Sequence, residues 1–368
     1  SGECLRLRGE VVASVRPNIG VEITREPVGV VGIITPWNFP IAIPAWKIAP
    51  ALAYGNAVVF KPADLVPGCA WALAEIISRS GIPSGVFNLV MGEGKTVGEA
   101  IVNHPFIDAV SFTGSQQVGR LVAQACVTQN KKIQLEMGGK NPQVILDDAD
   151  LQAAVNLCVQ SAYYSTGQRC TASSRLIVTQ QIYPAFIKAL EEKTRGLVVG
   201  DARTKSTDIG PVVSRQQLVQ DASYIKIAED EGARLLCGGK VLTLDKEGYY
   251  FSPALFVDTH SSMRINQEEV FGPIASVIQV KDYEEALATA NDTKFGLSAG
   301  IATTSLKFAS HFKQNSKAGM VMVNLPTAGV DYHVPFGGRK SSSYGAREQG
   351  SYAAEFYTVV KTAYTNPG

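Results

Sequence analysis

Short apolar runs alternate with amphipathic stretches of helical periodicity along most of this 368-residue chain. In the first half, the strand-like runs occupy residues 28–34, 57–60, 86–90, 109–112 and 133–135. The helix-like stretches between them are residues 45–54, 68–80, 96–103 and 116–128. This alternation predicts βαβ units and a parallel sheet covered by helices on both faces. Such sheets bind ligands beyond the carboxyl ends of their strands, so functional residues are expected in the loops at that edge.

A second alternating series begins near Asn141. Its strand-like runs are residues 144–146, 176–178, 275–280 and 321–323, and its helix-like stretches are residues 151–164, 183–197 and 284–291. A chain of this length is too long for one ordinary core. The two series therefore predict two α/β domains of similar size.

Two β-rich segments lie outside both series. Residues 5–15 alternate as a hairpin would, and residues 357–364 form a final apolar segment. Exposed strand edges favour pairing, which makes both segments candidates for contacts between subunits. They equally fit strands that complete a sheet within the chain, and the sequence leaves both possibilities open.

Charge and composition exclude several classes of partner. A formal net charge of +1 provides no field for nucleic acid or for an anionic membrane. No apolar run is long enough to span a bilayer, and the first residues lack the apolar core of a signal peptide. The six cysteines show no CxxC spacing and the four histidines are isolated. This pattern predicts reduced thiols in a cytoplasmic protein and no metal site.

Two segments resemble phosphate-binding loops only in part. Residues 91–96, Met-Gly-Glu-Gly-Lys-Thr, end like a P-loop, but Leu89 stands where that motif requires glycine, which excludes it. Residues 112–115, Phe-Thr-Gly-Ser, follow a strand and open a helix, where backbone N–H groups can hold a pyrophosphate. Because Gly-Ser also caps many helices and no GxGxxG is present, this signal alone is weak.

One cysteine stands in a distinctive context, at the end of residues 165–170, Ser-Thr-Gly-Gln-Arg-Cys. Two distant segments make this cysteine a candidate nucleophile: residues 36–40, Pro-Trp-Asn-Phe-Pro, and residues 135–140, Leu-Glu-Met-Gly-Gly-Lys. Together they supply a sulfur nucleophile, an amide donor for an oxyanion and a carboxylate base, which are the parts of an acyl-transfer site. Taken alone, each of these residues has an ordinary structural explanation.

Seven segments, in this order, resemble the signature blocks of the NAD(P)-dependent aldehyde dehydrogenase superfamily. They are residues 36–40, 60–63 (Phe-Lys-Pro-Ala), 112–115, 135–140, 167–170, 269–273 (Glu-Val-Phe-Gly-Pro) and 335–338 (Pro-Phe-Gly-Gly). The similarity covers essentially the whole chain, although the family's N-terminal helical segment is expected to be missing. It implies two Rossmann-like parallel-sheet α/β domains with a small β element for oligomerisation.

The resemblance also implies how function is distributed along the chain. Residues 1–27 are expected to form an oligomerisation hairpin, residues 28–138 the NAD(P)-binding domain and residues 139–345 the catalytic domain. Residues 346–368 are expected to form a C-terminal oligomerisation segment. The implied assembly is a homodimer or a homotetramer.

By the same resemblance, the catalytic residues are Cys170, Asn38 and Glu136. Cys170 would attack the aldehyde carbon to form a thiohemiacetal, which requires a lowered thiol pKa or a nearby base. The side-chain amide of Asn38, with the backbone N–H of Cys170, would stabilise the oxyanion. After hydride transfer to the nicotinamide, Glu136 would activate the water that hydrolyses the acyl-cysteine thioester.

The implied cofactor is NAD or NADP. The residues implied in binding it are Thr35, Trp37, Lys61, Asp64, Thr113, Gly114, Ser115, Glu269 and Phe271. Lys61 would reach the adenosine ribose, with Asp64 where many NAD-preferring relatives carry glutamate. A carboxylate there repels a 2′-phosphate, which favours NAD. Ser115 would contact the pyrophosphate, and Glu269 would hold the nicotinamide ribose with Phe271 beside the ring.

The substrate is implied to be a small aldehyde that carries a carboxylate. Positions implied along its tunnel are Phe39, Tyr164, Arg169, Thr171 and Phe336. Residues 329–344 look most similar to the α-ketoglutarate semialdehyde (2,5-dioxovalerate) dehydrogenases, which oxidise 2,5-dioxopentanoate to 2-oxoglutarate. A cation such as Arg169 or Arg339 would offset the cost of burying the substrate's charge. The alternatives are succinate or glutarate semialdehyde, a CoA-acylating reaction, or a truncated chain that keeps the fold without activity.

Overall fold

The computed structural model describes residues 2–368, which divide into two compact units. The first unit contains the chain up to Met137 together with Asp331–Gly337 and Ser343–Gly368. The second unit contains Gly138–Val330 and Gly338–Ser342. Residues distant in sequence therefore complete each unit, and the predicted roles of the domains in cofactor binding and catalysis stay predictions.

The strands in chain order are β1 (Glu10–Ala13), β2 (Gly20–Pro27), β3 (Val30–Ile34), β4 (Ala57–Lys61), β5 (Phe87–Leu89), β6 (Ala109–Gly114), β7 (Lys132–Met137), β8 (Pro142–Ile145), β9 (Arg175–Thr179), β10 (Arg234–Cys237), β11 (Val241–Leu242), β12 (Tyr250–Phe251), β13 (Ala254–Thr259), β14 (Ile274–Val280), β15 (Ser298–Ala302), β16 (Met320–Val323), β17 (Ser343–Tyr344) and β18 (Thr358–Thr365). The α-helices are α1 (Ala42–Ala53), α2 (Pro67–Ser78), α3 (Glu99–Asn103), α4 (Gln116–Thr128), α5 (Leu151–Tyr163), α6 (Tyr183–Arg195), α7 (Arg215–Asp230), α8 (Arg264–Gln267), α9 (Tyr283–Asn291), α10 (Leu306–Asn315) and α11 (Ala354–Tyr357). Short 3₁₀ helices cover Cys4–Arg6, Tyr164–Gly167, Lys340–Ser342 and Gly350–Ala353, and a π-helical turn covers Gly94–Gly98.

The first unit is built on a six-stranded sheet in the order β17-β7-β6-β3-β4-β5. Every neighbouring pair is parallel except β17 with β7. Val31 and Ile33 of the central strand β3 pack with Phe60 in one apolar cluster. The alternate residue Val30 contributes to a second cluster, because successive side chains of a strand point to opposite faces. Burial on both faces explains why these strands are continuous apolar runs in the sequence.

A separate antiparallel ribbon, β1-β2-β18, belongs to the same unit. A hairpin is present within residues 1–27, but not within residues 5–15, because β1 begins only at Glu10 and pairs antiparallel with β2, which extends to Pro27. The turn between them contains Pro17, which has no N–H to donate, and Asn18, which has a φ of 60°. The C-terminal strand β18 pairs with β2 over its whole length, so the two segments form a ribbon within the chain.

The second unit is built on a seven-stranded sheet in the order β10-β13-β14-β9-β8-β15-β16, which is parallel except for β10. Strand β15 escapes prediction from the sequence because its small residues, Ser-Ala-Gly-Ile-Ala, show no β-rich pattern. All five are buried, and a Cβ at Gly300 would lie 2.1 Å from Oε1 of Gln143 on β8. Close approach to the neighbouring strand therefore requires small residues here.

Both units are α/β with mainly parallel sheets, which confirms the predicted fold class. Within residues 2–368, no helix combines the length and the apolar character needed to cross a membrane.

Candidate active site

The predicted general base, Glu136, lies near the end of β7 in the first unit. Its backbone is paired with Ser343 of β17, and its carboxylate accepts a hydrogen bond from the Ser343 hydroxyl at 2.5 Å. Gly337 lies against the same carboxylate, since a Cβ there would be 2.8 Å from Oε1. Glu136 is only 3% exposed, so the surrounding protein, and not solvent, sets the position of its carboxylate.

A buried ion pair belongs to the surroundings of Glu136. Lys47 of α1 is paired with Glu348, and both side chains are almost completely buried. The Lys47 ammonium also donates to Ser111 Oγ at 2.8 Å. Glu348 exchanges two backbone hydrogen bonds with Phe336, which positions the pair from its other side. These residues are missed by sequence reasoning, because a lone lysine in a helix and a lone glutamate near the C-terminus give no local signal.

The electrostatics favour a protonated carboxyl at Glu136. Burial raises the pKa of Glu136 well above its ordinary value, and the negative charge of Glu348 raises it further. The Ser343 hydrogen bond and the positive charges of Lys47 and Arg347 oppose this shift. A raised pKa makes the ionised carboxylate a stronger base, which suits a group that accepts and returns a proton.

The predicted nucleophile, Cys170, lies in the second unit on the segment that joins α5 to β9. The Asn141 amide donates to the carbonyl oxygens of Cys170, at 2.7 Å, and of Ala172, at 2.8 Å. Asn141 Oδ1 in turn accepts from the backbone N–H of Ser298 at 3.0 Å. The segment is therefore anchored to the sheet through backbone atoms next to the thiol.

The turn that precedes Cys170 is strained. Ser165, Thr166 and Gly167 have φ values of 55°, 60° and 66°. The left-handed region costs an L-residue other than glycine about 1 to 2 kcal/mol. Glycine is required at the third position, because a Cβ at Gly167 would lie 2.1 Å from the carbonyl oxygen of Gly272. This contact ties the Cys170 turn to the segment that contains Glu269.

Glu269 and Phe271, both predicted to contact the cofactor, lie on that segment. Glu269 Oε1 accepts from the backbone N–H of Gly139 at 2.9 Å. Burial raises the pKa of Glu269 to about 7, against the lowering effects of the Gly139 hydrogen bond and of Lys140. Phe271 has a φ of 64°, which is rare for an aromatic residue. Residues 269–273 are therefore held in one unusual conformation.

Three polar residues of α7 hold the same segment and are missed by sequence reasoning. Gln217 and Gln220 donate to the carbonyl oxygen of Val270 at 3.1 and 2.8 Å. Asp221 is completely buried against Gly272, where a Cβ would lie 2.2 Å from its Oδ1. Burial raises the pKa of Asp221 to about 7. In the sequence these residues lie in a polar helix without any motif, so nothing local points to them.

The carboxyl ends of three neighbouring strands carry the predicted cofactor residues of the first unit. Thr35 follows β3, Lys61 ends β4, and Thr113 and Gly114 end β6. The hydroxyl groups of Thr35 and Thr113 are buried, and neither has a hydrogen-bond partner among residues 2–368. Because buried polar groups in folded proteins are normally paired with protein, water or ligand, this edge suits a polar cofactor.

Two further residues of this group have clear local roles. The Lys61 ammonium donates to Asp64 Oδ1 at 2.9 Å and to the carbonyl oxygen of Pro62 at 2.8 Å. The Asp64 side chain is half-exposed, so it remains accessible to a ligand beside the lysine. Ser115 caps α4 by accepting a hydrogen bond from the N–H of Val118 at 3.4 Å. The N-terminus of α4, which begins there, is the kind of helix end that suits a phosphate group.

The predicted substrate positions fall in both units. In the first, Phe39 is half-buried and Phe336 is buried against Trp46, with ring centroids 5.5 Å apart. In the second, Tyr164 is exposed on the turn before Cys170. Thr171 is buried, and its carbonyl oxygen accepts from Thr327 Oγ1. Both residues therefore lie on the segment of the second unit that contains Cys170.

The Arg169 side chain is partly occupied by hydrogen bonds to the backbone of α5. Its guanidinium donates to the carbonyl oxygens of Gln160 and Ser161 on α5, while its buried Nε has no hydrogen-bond partner in the described chain. Burial lowers the pKa of Arg169 to about 10, so the group stays charged at neutral pH. Its role as a partner of the substrate carboxylate stays a prediction.

Comparisons with known proteins agree with the family implied by the motifs. The Aldehyde dehydrogenase family matches residues 1–363. The chain is 46% identical over 370 residues to the alpha-ketoglutaric semialdehyde dehydrogenase of Bacillus subtilis (strain 168), covering 100% of this chain and 76% of that protein. It is 44% identical over 367 residues to the alpha-ketoglutarate semialdehyde dehydrogenase of Haloferax volcanii, covering 99% of this chain and 76% of that protein.

Solved structures show the same likeness. The structure of betaine aldehyde dehydrogenase from Staphylococcus aureus in complex with NAD+ superposes with a TM-score of 0.95 at 37% identity, covering 97% of this chain and 71% of that one. An NADP-dependent enzyme of E. coli matches with a TM-score of 0.95 at 35% identity, covering 99% of this chain and 75% of that one. The motifs, the two parallel sheets and these matches lead to one conclusion, that the chain belongs to the aldehyde dehydrogenase family.

Proposed function

We propose that this chain oxidises 2,5-dioxopentanoate, a small carboxylated aldehyde, to 2-oxoglutarate with NAD or NADP. The observation that carries the proposal is the surroundings of Glu136, a buried carboxyl with a raised pKa, fixed by Ser343 in the motif implied for the general base. The choice of aldehyde rests on the similarity to the Bacillus subtilis and Haloferax volcanii proteins, both named for this semialdehyde.

In the proposed reaction, Cys170 is the nucleophile. The thiol first loses its proton to solvent, and the resulting thiolate sulfur bonds to the aldehyde carbon while the carbonyl π electrons move to the oxygen, which becomes an oxyanion. The Asn38 amide donates to that oxyanion, and one such donor contributes about 3 kcal/mol to stabilising the transition state. When bound, the nicotinamide cofactor supplies the oxidation by accepting a hydride from this carbon, which leaves a thioester on Cys170.

Glu136 then acts as the general base for hydrolysis. It accepts a proton from the water that attacks the thioester carbon, the carbon–sulfur bond breaks, and the thiol of Cys170 is restored as the acid leaves. A base must be ionised to accept the proton. The rate of hydrolysis is therefore expected to rise with pH through the raised pKa of Glu136.

A panel of aldehydes tests the proposal. The panel contains 2,5-dioxopentanoate, succinate semialdehyde, glutarate semialdehyde and hexanal, and the readout is NADH absorbance. We expect kcat/KM for 2,5-dioxopentanoate to exceed that for hexanal at least about tenfold, because a charge-assisted hydrogen bond to a carboxylate is worth that much. The proposal of an acidic substrate fails if hexanal is oxidised more efficiently than every carboxylated aldehyde.

The cofactor preference is expected to depend on Asp64. We expect Asp64→Ser to raise the ratio of kcat/KM with NADP to that with NAD about tenfold, because the carboxylate beside Lys61 no longer repels a 2′-phosphate. Glu75→Gln on α2 is the matched control, since it removes an exposed acid elsewhere in the same unit. If both variants show the same ratio of kcat/KM with NADP to kcat/KM with NAD, Asp64 does not contact the cofactor as predicted.

We further propose that the chain forms a homodimer or a homotetramer through the ribbon. Val359, Val360 and Tyr364 are exposed along the edge strand β18, where a strand of another subunit could pair. Light scattering distinguishes these assemblies from a monomer. None of the six cysteines forms a disulfide within residues 2–368, which supports a reducing compartment such as the cytoplasm, and cell fractionation checks this.

A further inference from the structure

The second unit contains a pocket whose lining carries positive charge only. About 230 Å³ of empty space, part of it open solvent, lies there near the amino ends of β8, β15 and β16. Lys140, Lys317 and Lys340 line it, and its lining contains no aspartate or glutamate. None of its lining residues belongs to the predicted catalytic, cofactor or substrate positions.

Two fully buried cations lie together here: Lys140, which lines the pocket, and Arg175, which contacts the backbone of Lys140. Lys140 is 2% exposed, and its ammonium has no hydrogen-bond or ion-pair partner among residues 2–368. Arg175, which donates to the carbonyl oxygens of Lys140 and Thr289, has no carboxylate within ion-pair distance in the same part of the chain. A buried charge is costly unless a counter-charge and hydrogen bonds compensate it. The protein itself supplies no direct counter-ion here.

A second unpartnered group lines the same pocket. Ser298, the first residue of β15, is almost completely buried, and its hydroxyl has no hydrogen-bond partner in the described chain. A lysine ammonium can only donate hydrogen bonds, and a hydroxyl is free to orient its proton toward an acceptor. An ammonium and a free hydroxyl in one pocket therefore complement an acceptor that carries negative charge.

The width of the pocket limits what can bind. Its interior has room for a group about the size of one water molecule. Phosphate, sulfate and the aldehyde substrates are larger and are excluded from its interior. A halide ion is somewhat larger than water but smaller than these polyatomic groups, and the pocket is partly open to solvent. Such an ion supplies the missing negative charge, whereas water supplies none.

We infer that this pocket binds one chloride-sized monovalent anion, held by the Lys140 ammonium and the Ser298 hydroxyl. Arg175, Lys317 and Lys340 add positive potential, and Lys340 itself is occupied by the carbonyl oxygens of Asn291 and Thr293.

The charges around Lys140 explain why an anion is favoured. Burial, followed by the positive charge of Arg175, lowers the pKa of Lys140 to about 7, while Glu269 and Glu268 act in the opposite direction without pairing with it. The same balance applies to Lys340, whose pKa is lowered by burial, Lys317 and Arg175 and raised by Asp292. A bound anion stabilises the charged lysine, so anion binding and protonation of Lys140 strengthen each other.

The anion site adjoins the segment that carries the thiol. Asn141 lines the pocket and also holds the carbonyl oxygens of Cys170 and Ala172. An ion beside Asn141 is therefore expected to stabilise the anchored conformation of that segment.

Bromide tests this inference, because it has the charge of chloride and scatters X-rays anomalously. In crystals grown with sodium bromide, we expect an anomalous peak within hydrogen-bond distance of Lys140 Nζ and Ser298 Oγ. In solution, we expect bromide to raise the midpoint of thermal unfolding relative to sodium gluconate at the same ionic strength. Neither measurement uses aldehyde or cofactor, so its outcome is independent of the proposed activity.

Two substitutions make the test specific. Lys140→Met is expected to abolish both the peak and the bromide-dependent rise, while Lys307→Met, which removes an exposed cation on α10, keeps both. Ser298→Ala serves if Lys140→Met does not fold, and is expected to weaken bromide binding about tenfold through loss of one hydrogen bond to an ion. The inference is overturned if no peak lies in the pocket, if bromide stabilises Lys140→Met as much as Lys307→Met, or if Ser298→Ala binds bromide as the unchanged chain does.

Discussion

Replacing Cys170 with alanine is expected to reduce aldehyde-dependent NADH formation by at least about a thousandfold. Without the sulfur no thiohemiacetal forms, and an aldehyde carbon that has not been attacked is a poor source of hydride. The fold is expected to survive, because the hydrogen bonds from Asn141 reach backbone carbonyl oxygens that alanine retains.

Cys69→Ala is the matched control for this substitution. Cys69 lies on α2 of the first unit, is half-buried and belongs to none of the predicted sites. Its replacement is expected to change the rate by no more than about twofold. Absorbance of NADH measures activity, and circular dichroism verifies that both variants fold. Full activity in Cys170→Ala would show that the nucleophile is another residue.

Glu136→Gln is expected to slow steady-state turnover about 10²- to 10⁴-fold while Cys170 is still acylated. Glutamine retains the size of the side chain and can hydrogen-bond with Ser343, but it cannot accept a proton from water. One equivalent of NADH should therefore form rapidly and be followed by a slow phase. Intact-protein mass spectrometry should detect the thioester on Cys170. A normal steady-state rate with no thioester contradicts the role of Glu136 as general base.

The same substitution is expected to increase the free energy of unfolding at neutral pH. Burial and the charge of Glu348 raise the pKa of Glu136 in the folded chain, so between the ordinary and the raised pKa the folded state holds a proton that the unfolded state has released. Stability is therefore complete below the ordinary pKa of glutamate and falls as pH rises above it. Glutamine has no titratable proton, so the variant does not lose stability in this way as pH rises.

Urea unfolding of the two proteins measures the effect. Near neutral pH, the midpoint for Glu136→Gln should lie above that of the unchanged chain, and the difference should shrink near pH 4, where glutamate is protonated even when unfolded. An equal or lower urea midpoint at neutral pH would show that folding does not raise the pKa of Glu136.

The predicted catalytic residues illustrate how far sequence reasoning extends. Glu136 can be found from the segment Leu-Glu-Met-Gly-Gly-Lys, because a motif is a local pattern. The residues around Glu136 cannot be found from the sequence in this way. Ser343 lies 207 positions from Glu136 along the chain, and Lys47 lies 301 positions from Glu348. Residues this far apart become neighbours only through the pairing of β17 with β7 and the packing of α1.

Some strands can likewise be predicted from local sequence, whereas others depend on contacts with distant residues. Strands β3, β6 and β14 are predictable because they are apolar runs of β-rich composition. Strand β15 is not, because its small residues are selected by the approach of Gln143 and not by strand propensity. The exact bounds of the N-terminal hairpin are not predictable, because strand-like residues continue on both sides of Pro17 and only the pairing of β1 with β2 defines the register.

The sequence by itself determined the α/β class and the family and led to the predicted nucleophile, oxyanion donor and base, because periodicity and motifs are local properties of a chain. The tertiary structure decided the pKa of Glu136, the anchoring of Cys170 by Asn141, the polar support of residues 269–273 by α7 and the cationic pocket at Lys140. All four depend on which groups are brought within a few ångströms of one another and on how completely water is excluded around them. Both are properties of distant residues packed together, and no short stretch of sequence contains them.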